Sequence, residues 1–499
     1  MKHFENIKLY KDKGEHLYIQ LYKAIKKLIM EERLSKDDKL PPIRKLAQKL
    51  DVNNVTVVNA YHILEQEGLV YKKMGSGTYI SPDFLTYISE EAEDQKIIEG
   101  LGSLSLIEQG QIQIKNDMIN FASATPMAEL FPVDDFKEAL NEVLDRDKGH
   151  AFDYQESQGY LPLREALIKY VREYNIFADI NSLQIISGAQ QGIDIIAKAL
   201  LNYGDTVIVE NPSYTGAIAS FKSRGAKIID VNLIDDGIDI DDLERKIRIF
   251  RPKFLYLMPN FQNPTGISYS RSKKEEIINL CKQYNMYIVE DDYLSDLNFY
   301  SCDNTTLKSL DINNDLVIYV KSFSKIFMPG LRLGFLIAPS IFYDHLLFAK
   351  HSSDISTSGL LQRALELYFT RGTWKEHIKY MEKKYKSGFD TMLRSIEEYM
   401  PSQVEYIHPK GGVNFWFKLP MEISSRELYE RAIRKNVALA PGNLFFIHQN
   451  DNNHFRLSIA SVNNYEIEQG IIIISNIIKE LINDISRSGL NEEKYRPIL

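Results

Sequence analysis

The stretch Val320–Phe335 reads VKSFSKIFMPGLRLGF and places Lys325 between two serines and a glycine-arginine run. It opens at the end of the apolar run LVIYV, whose β-branched and aromatic residues are typical of a buried strand. Lysines are mostly surface residues, so Lys325 could be a solvated cation. Lys325 also follows a strand and has hydroxyl groups and an arginine nearby, so it could instead have a chemical role.

Beyond residue 117 the chain alternates short apolar runs with amphipathic segments. The runs that read as strands are TVIVE at Thr206, FLYLMP at Phe254, MYIVEDD at Met286 and LVIYVKS at Leu316. This alternation predicts an α/β domain with a mostly parallel sheet and helices on both faces. Functional groups in such sheets collect at the carboxyl ends of strands. The polar residues found there are Asn263, Asp291, Tyr293 and Lys325.

Length and composition limit the class of protein. A chain of 499 residues is long enough for two or three domains, and a hydrophobic fraction of 44% is typical of globular proteins. The two cysteines, Cys281 and Cys302, have no metal-ligand spacing, so we expect no metal site and a reducing compartment. No signal peptide and no run of 18 apolar residues occurs, so we expect a soluble cytoplasmic protein without a membrane partner.

The first 80 residues differ from the rest in charge and pattern. They hold 15 Lys or Arg against 10 Asp or Glu, a net charge of +5, which leaves −13 for the remainder. Apolar spacing predicts a helix over residues 16–33, a short second helix after Pro41-Pro42 and a third after DVNN. Two short strands around Gly75-Ser76-Gly77 then predict a basic hairpin, or wing.

A helix-turn-helix with a wing can lay its third helix in the major groove of DNA. The pattern alone also fits a small protein-interaction module with a solvated charged face. The segment KLPPIRKLAQKLDVNNVTVVNAYHILEQEGLVYKKMGSGTYI resembles the winged-helix domain of GntR-family transcription regulators, which implies binding to operator DNA. The residues expected to contact DNA are Arg44, Asn54, Thr56, Asn59, Lys72, Lys73, Gly75 and Gly77.

One position departs from the family. Asn53-Asn54 stands where these regulators usually carry Ser-Arg, so a common positive contact is missing. An asparagine can pair bidentately with adenine or simply cap a helix. We expect Asn53 to be the cap, and the role of Asn54 stays open.

The domain boundaries follow from these patterns. We expect a winged-helix domain over residues 1–82 and a solvated linker over 83–117, where acidic and glycine-serine segments occur without a sustained period. An α/β domain should cover 118–485. It should end in a smaller α/β subdomain, about 355–485, that also includes the domain's first segment. A tail should follow over 486–499.

The region around Lys325 carries the groups that a phosphate requires. The segment IISGAQQGID predicts a helix that begins directly after a strand, so the backbone amides of Gly188, Ala189 and Gln190 can bind a phosphate at the positive end of the helix dipole. Ser322 and Arg332 can complete this anion site.

The same region carries groups suited to an aromatic ring. Asp291 can hold a proton on a pyridine nitrogen, and Asn263 and Tyr293 can donate to a phenolate oxygen. Tyr214, in ENPSYTGA, can stack on the ring. These are the requirements of pyridoxal 5′-phosphate bound through a Schiff base to Lys325.

Several motifs together resemble the fold-type-I aminotransferases, in the aminoadipate and kynurenine branch. They are FDYQESQGYLPLREAL, ISGAQQGID, ENPSY, NFQNPTG, VEDDY, SFSKIFMPGLRLG and FRLSIAS, in the family's order and spacing. The resemblance implies that Lys325 is the catalytic residue, that Arg456 binds a substrate α-carboxylate and that Tyr154 reaches the partner subunit's cofactor in a homodimer. The other cofactor-binding residues that it implies are Gly188, Ala189, Gln190, Tyr214, Asn263, Asp291, Tyr293, Ser322, Ser324 and Arg332. Arg456 could instead form a structural salt bridge.

A GntR-type winged helix joined to an aminotransferase-like domain resembles the MocR-type regulators. This resemblance implies a homodimeric transcription regulator that senses an amino acid or amine through its cofactor. An active aminotransferase with an accessory DNA-binding head is the alternative, and a sensor of pyridoxal phosphate itself is a weaker one. The GABA-responsive regulator has an arginine two positions after the stacking tyrosine, where this chain has Gly216, so GABA is not the expected ligand.

Overall fold

The structure is a computed structural model of the chain. It describes residues 17–30, 38–50, 52–66, 69–73, 77–81, 118–300, 302–448 and 453–492, together with Phe4, Leu9 and Leu34. By its internal contacts the chain divides into two compact units, Met1–Ser105 and Leu106–Leu499. The linker predicted at residues 83–117 lies outside the described residues.

The first unit contains the three predicted helices. They are α1 (Leu17–Met30), α2 (Ile43–Lys49) and α3 (Asn54–Gln66). Pro42 is the N-cap residue of α2 and has φ −55° and ψ 137°, so the helix begins directly after the two prolines. The residues of α3 that the periodicity assigns to the core, Val57, Ala60, Tyr61 and Leu64, are all buried. They pack with Leu46 and Ala47 of α2 in one apolar cluster.

A two-stranded hairpin completes this unit. β1 (Val70–Lys73) pairs antiparallel with β2 (Gly77–Ile80), with Val70 opposite Ile80 and Lys73 opposite Gly77. Val70 and Ile80 are buried in the helical core, so the hairpin is anchored at its base. Gly77 has a φ of 130°, a conformation that side chains disfavour. The predicted winged helix is confirmed, although Gly75 lies outside the described residues.

The second unit is built on an eight-stranded sheet with the order β4-β11-β10-β9-β8-β5-β6-β7. Its strands are β4 (Leu183–Ile186), β5 (Thr206–Asn211), β6 (Lys227–Ile234), β7 (Gly237–Ile238), β8 (Phe254–Leu257), β9 (Tyr287–Asp292), β10 (Val317–Ser322) and β11 (Gly334–Ile337). The pairs from β6 through β5, β8 and β9 to β10 are parallel. The pairs made by β11 and β7 are antiparallel.

Both faces of this sheet are covered. Alternate residues of β8 enter different apolar clusters: Phe254 and Tyr256 join one, and Leu255 and Leu257 join the other. Since successive side chains of a strand point to opposite faces, a core lies on each side. The helices between Val133 and His351 are α4 (Val133–Asp147), α5 (Leu161–Arg172), α6 (Ala189–Leu200), α7 (Thr215–Ser223), α8 (Ile240–Phe250), α9 (Arg271–Gln283), α10 (Leu307–Leu310) and α11 (Tyr343–His351).

A smaller antiparallel sheet with the order β12-β13-β16-β15 follows. The remaining elements are α12 (Gly359–Arg371), α13 (Thr373–Tyr399), α14 (Ser425–Arg434), α15 (Asn464–Glu492), β3 (Ile119–Asn120), β12 (Glu405–Ile407), β13 (Asn414–Lys418), β14 (Val437–Ala438), β15 (Ala440–Pro441) and β16 (His454–Ser458). β3 pairs with β14, so the first described segment of this unit joins its last third. α15 runs to Glu492, past the expected boundary at 485. No helix in the described ranges is long and apolar enough to traverse a bilayer.

Candidate functional site

A cavity of about 520 Å³ opens where the predicted site residues converge. Tyr214 follows β5, Asn263 follows β8, Asp291 lies within the carboxyl end of β9 and Ser322 ends β10, and all four line the cavity. Neighbouring parallel strands end at the same edge of a sheet, which brings these separate positions together. Lys325 lines the same cavity.

Lys325 loses its proton more readily than an ordinary lysine. Burial, reinforced by the positive charges of Arg456 and Arg332, lowers the pKa of Lys325 to about 8. Its Nζ donates to Oγ1 of Thr125 at 3.4 Å. No carboxylate pairs with Lys325 in the described part of the chain. Because its pKa is lowered, a larger fraction of Lys325 than of an ordinary lysine carries the free electron pair that attack on an aldehyde requires.

Asp291 presents a carboxylate oxygen without a partner. Its Oδ2 accepts a 2.7 Å hydrogen bond from the hydroxyl of Tyr256, whereas Oδ1 is buried and has no partner among the described residues. Burial raises the pKa of Asp291 to about 7. A protonated ring nitrogen would satisfy Oδ1 and keep the carboxylate ionised, so the residue fits the pyridine side of pyridoxal phosphate.

A buried ionic cluster that the sequence analysis missed lies beside Asp291. Lys321 forms ion pairs with Asp292 at 3.1 Å and Asp296 at 2.5 Å, and its Nζ donates to Ser295 Oγ at 3.0 Å. The charge of Lys321 favours the ionised form of Asp291, opposing the effect of burial. A charged residue inside the apolar run LVIYVKS was the available sequence signal, because a buried lysine needs acidic partners.

The amino end of α6 is where the sequence predicts an anion site. Gly188 precedes the helix with a φ of 88°, and a Cβ there would lie 2.8 Å from Nη2 of Arg332. Arg332 donates from Nη2 to the carbonyl of Ser187 at 2.8 Å. Ser322 and Ser324 line the same cavity. Free helix amides, hydroxyls and a guanidinium together fit a phosphate.

Tyr293 differs from the expectation in its hydrogen bonding. Its hydroxyl donates to the carbonyl of Phe261 at 2.5 Å and accepts from Nδ2 of Asn414 at 3.0 Å. To donate to a phenolate oxygen, as expected, the Tyr293 hydroxyl would have to give up its hydrogen bond to the carbonyl of Phe261. Asn263 accepts from Arg456 through Oδ1, and its amide nitrogen has no partner among the described residues, so it can donate to a ligand.

Arg456 is a buried cation without an acidic partner in the described part of the chain. Nη1 donates to Oδ1 of Asn263 at 2.7 Å, Nη2 donates to the carbonyl of Ala122, and Nε is unpaired. Its guanidinium also lies 5.0 Å from the ring centre of Phe445. Burial lowers the pKa of Arg456 to about 10, which still leaves it charged near pH 7. A structural salt bridge, the alternative interpretation, is absent from the described contacts.

Gln190 holds Tyr214 at the cavity wall. The tyrosine hydroxyl donates to Gln190 Oε1 at 3.1 Å, and Gln190 Nε2 donates to the carbonyl of Gly216 at 2.9 Å. A Cβ on Gly216 would lie 2.1 Å from Gln190 Oε1 and 2.6 Å from the Tyr214 ring. An arginine at position 216 would therefore displace both side chains. Tyr154 does not line the cavity and is 83% exposed.

Other lining residues carry no sequence motif. Residues 122–125, after β3, line one wall, and Met258, Ala440, Leu444 and Phe445 line another. Ala440 lies opposite Arg456 in the pairing of β15 with β16. The apolar side chains of Met258, Ala440, Leu444 and Phe445 resemble ordinary core residues in the sequence, so periodicity could not separate them from the core.

The helix expected to bind DNA exposes most of the predicted residues. Asn54 and Asn59 of α3 are exposed, as are Arg44 of α2 and Lys73 and Gly77 of the wing. Thr56, expected to face outward, is half-buried. The side chain of Lys72 lies outside the described part of the chain, as does Gly75.

The predicted cap of α3 is confirmed. Oδ1 of Asn53 accepts a hydrogen bond from the backbone nitrogen of Val55 at 3.0 Å. This contact satisfies one of the free amides at the start of the helix. Asn54 therefore remains available for another partner.

Fold and site together define the class: a fold-type-I, pyridoxal-phosphate-binding protein with an N-terminal winged helix. The family model "Aminotransferase class I and II" matches residues 116–474, and "Bacterial regulatory proteins, gntR family" matches residues 17–80. The chain belongs to the class I and II aminotransferase family and carries a GntR-family domain, the arrangement of the MocR-type transcription regulators. Pyridoxal 5′-phosphate is the cofactor of this family.

Individual relatives fall into both functional groups. The chain is 31% identical to the HTH-type transcriptional regulator YdfD of Bacillus subtilis, over 93% of this chain and 96% of that protein. It is 34% identical to aromatic-amino-acid aminotransferase 1 of Thermococcus litoralis, over 80% of this chain and 95% of that protein.

A solved structure shares the fold of the second unit. The crystal structure of LysN, α-aminoadipate aminotransferase from Thermus thermophilus, complexed with N-(5'-phosphopyridoxyl)-L-leucine, has a TM-score of 0.72 and 32% identity. The match covers 77% of this chain and 97% of that one. The predicted fold-type-I architecture is confirmed.

Proposed function

We propose that this regulator senses an amino acid in the cavity around Lys325 and converts binding into a change of affinity for operator DNA. The observation that carries the proposal is that one cavity holds an amine of lowered pKa, Lys325, and a guanidinium, Arg456, that has no acidic partner among the described residues. Arg456 can bind an α-carboxylate bidentately, while the α-amino group occupies the site of Lys325. An α-amino acid satisfies both requirements.

The cofactor site would work through this chain's own residues. Bound pyridoxal 5′-phosphate supplies an aldehyde that combines reversibly with primary amines. Lys325 would hold that aldehyde covalently, Asp291 its ring nitrogen, and Arg332 with the amino end of α6 its phosphate. An effector amine would take the place of Lys325 Nζ, and Arg456 would hold the effector's carboxylate. The charge and position of Lys325 thus change when the effector binds.

We further propose a homodimer that acts in the cytoplasm, where operator DNA is found. A second copy would provide a second winged helix for the other half of a near-palindromic operator. Tyr154 supports this arrangement, because it is 83% exposed and available to a partner subunit.

Mixed dimers test whether Tyr154 acts on the partner's site. Protein carrying Tyr154→Ala and protein carrying Lys325→Ala are each expected to bind the cofactor poorly. In a mixed dimer one of the two sites regains both residues, so the purified mixed dimer should recover half of the visible cofactor absorbance. No recovery in a verified mixed dimer would place Tyr154 outside the partner's site.

An aminotransferase remains a second candidate function, because the residues for proton transfer are complete. Lys325 Nζ, once released, can remove the proton from the effector's α-carbon as a general base. For a regulator we expect steady-state turnover with a keto-acid acceptor far below the roughly 10 per second typical of enzymes. A coupled assay and a gel shift on the same sample separate the two functions.

The central experiment is a gel shift on the protein's own upstream region, with single amino acids added to the cofactor-loaded protein. We expect one or a few amino acids to change operator affinity, and Lys325→Ala to abolish the response. Lys227→Ala, an exposed lysine at the start of β6, is the matched control. A response to the cofactor alone would instead indicate a sensor of pyridoxal phosphate. Operator binding indifferent to every amino acid, with turnover near the typical rate, would make the protein an enzyme first.

A further inference from the structure

The exposed face of α3 combines asparagines and valines at helical spacing. Between Asn54 and Glu65, where the structure describes the side chains, the exposed residues are Asn54, Val55, Val58, Asn59 and His62. At 100° per residue they cover an arc of about 140°, opposite the buried residues Val57, Ala60, Tyr61 and Leu64. The amides and valines of this arc form two pairs at i, i+4 spacing, Asn54 with Val58 and Val55 with Asn59.

The two valines are unusual for the solvent-exposed side of a helix. Val55 is 58% exposed and Val58 is 45% exposed, and they lie three residues apart, so their methyl groups form one small apolar surface. Isolated exposed valines are common, but these stand between two amides that have no hydrogen-bond partner among the described residues. The face therefore offers apolar contact and paired hydrogen bonds side by side.

Charge identifies the occupant as a nucleic acid. In the described part of the first unit, the exposed basic residues are Lys23, Lys39, Arg44, Lys45, Lys49 and Lys73, whereas Asp38 is the exposed acidic residue. The face of α3 itself carries neither lysine nor arginine; His62 lies 3.9 Å from Glu65. These positive charges lie on α1, on and just before α2, and on the wing, whereas the exposed face of α3 is free of lysine and arginine, as expected when phosphates are bound beside a base-reading helix.

The side chains on the exposed face of α3 favour some base pairs over others. Guanine is usually read by arginine or lysine, and α3 exposes neither. An asparagine side chain can bind N6 and N7 of adenine together, and an apolar side chain can contact the 5-methyl group of thymine. On the major-groove edge of an A·T pair, N6 and N7 of adenine lie next to the 5-methyl group of thymine. Each amide–valine pair of α3 likewise places an amide next to an apolar side chain.

We propose that α3 reads A·T base pairs in the operator, with Asn54 and Asn59 bound to adenines and Val55 and Val58 in contact with thymine methyl groups. The inference rests on the proposed function, since it requires α3 to lie in the major groove. Asn54, which stands where GntR-family regulators usually carry an arginine, would thus take part in base selection.

Modified duplexes test the valines. An operator is selected from random duplexes with the full-length protein, and its thymines are then replaced one at a time by deoxyuridine, which removes only the methyl group. We expect a loss of affinity of about fourfold at one or two thymines per half-site, the cost of one exposed methyl group. Val58→Ala or Val55→Ala should weaken binding to the thymine operator and abolish the discrimination. Val133→Ala, at 57% exposure on α4, is the matched control.

Adenine analogues test the amides. Replacement of adenine by 7-deaza-adenine removes the N7 acceptor, and we expect it to weaken binding by the parent protein but not by Asn54→Ala or Asn59→Ala at the corresponding position. A selected operator without fixed A·T pairs, or equal affinity for thymine and uracil duplexes at every position, overturns the inference while leaving operator binding intact. Failure to select any duplex overturns the proposed function itself.

Discussion

Arg456 donates a 2.7 Å hydrogen bond from Nη1 to Oδ1 of Asn263, and this bond joins β16 of the smaller sheet to the loop after β8. The bond fixes the guanidinium without neutralising it, because an amide oxygen carries no net charge. Nε remains unpaired in the same buried surroundings. A preoriented, uncompensated cation is what the recognition of a ligand carboxylate requires.

Replacement of Arg456 should remove the preference for a carboxylate. For Arg456→Met we expect the affinity for an effective amino acid to fall roughly 10- to 100-fold, the range for loss of a charge-assisted hydrogen bond. The decarboxylated amine should bind the parent and the variant with similar, weak affinity. Spectral titration of the cofactor-loaded protein measures both. An equal loss for the amino acid and the amine would indicate general damage to the site.

Attachment of the cofactor should depend on pH through Lys325. A lysine with a pKa of about 8 is protonated and unreactive below that pH, so the rate of cofactor loading on the apo protein should rise with pH around a midpoint near 8. Arg456→Met removes a positive charge beside Lys325 and should move the midpoint upward. Arg271→Met, on the exposed side of α9, is the control. Absorbance in the visible region reports loading, and a midpoint near the ordinary lysine value would contradict the environment assigned to Lys325.

Cofactor retention should depend on the unpaired oxygen of Asp291. In Asp291→Asn the side chain keeps its size but loses the charge that holds a protonated ring nitrogen. We expect the cofactor to dissociate roughly 10- to 100-fold more readily, because a hydrogen bond to a charged group contributes about 1.5–3 kcal/mol. Dialysis followed by absorbance measures retention. Asp344→Asn, an exposed position on α11, should behave like the parent.

Arg44 should contribute to DNA affinity through a phosphate. It is exposed on α2, and one lost phosphate contact is expected to lower the slope of log affinity against log salt by about 0.9. Fluorescence anisotropy with the operator at several salt concentrations measures the slope of Arg44→Ala. Arg245→Ala, in the second unit, should leave it unchanged. If Arg44→Ala keeps both the affinity and the slope of the parent, α2 does not contact the backbone through this residue.

Much of the fold could be predicted from local pattern. Apolar runs located β5, β8, β9 and β10 of the large sheet, and a period of about 3.6 residues located the three helices of the first unit, because both patterns record which side chains are buried. The core positions Val57, Ala60, Tyr61 and Leu64 follow directly from that spacing. Resemblance of motifs identified Lys325, Asp291 and Arg456, since the chemistry of a bound cofactor restricts residue type at fixed points of the chain.

Tertiary structure decided which of these groups are free to act. Sequence alone left open whether Arg456 forms a salt bridge, and it indicated neither the bond from Tyr293 to the carbonyl of Phe261 nor the ionic cluster around Lys321. Residues 122–125 and Phe445, far apart in the chain, line one cavity without any motif. Hydrogen-bond partners and burial depend on distances between segments remote in sequence. The sequence determined the chemical groups present, whereas only packing decided their charge, their partners and their access to a ligand.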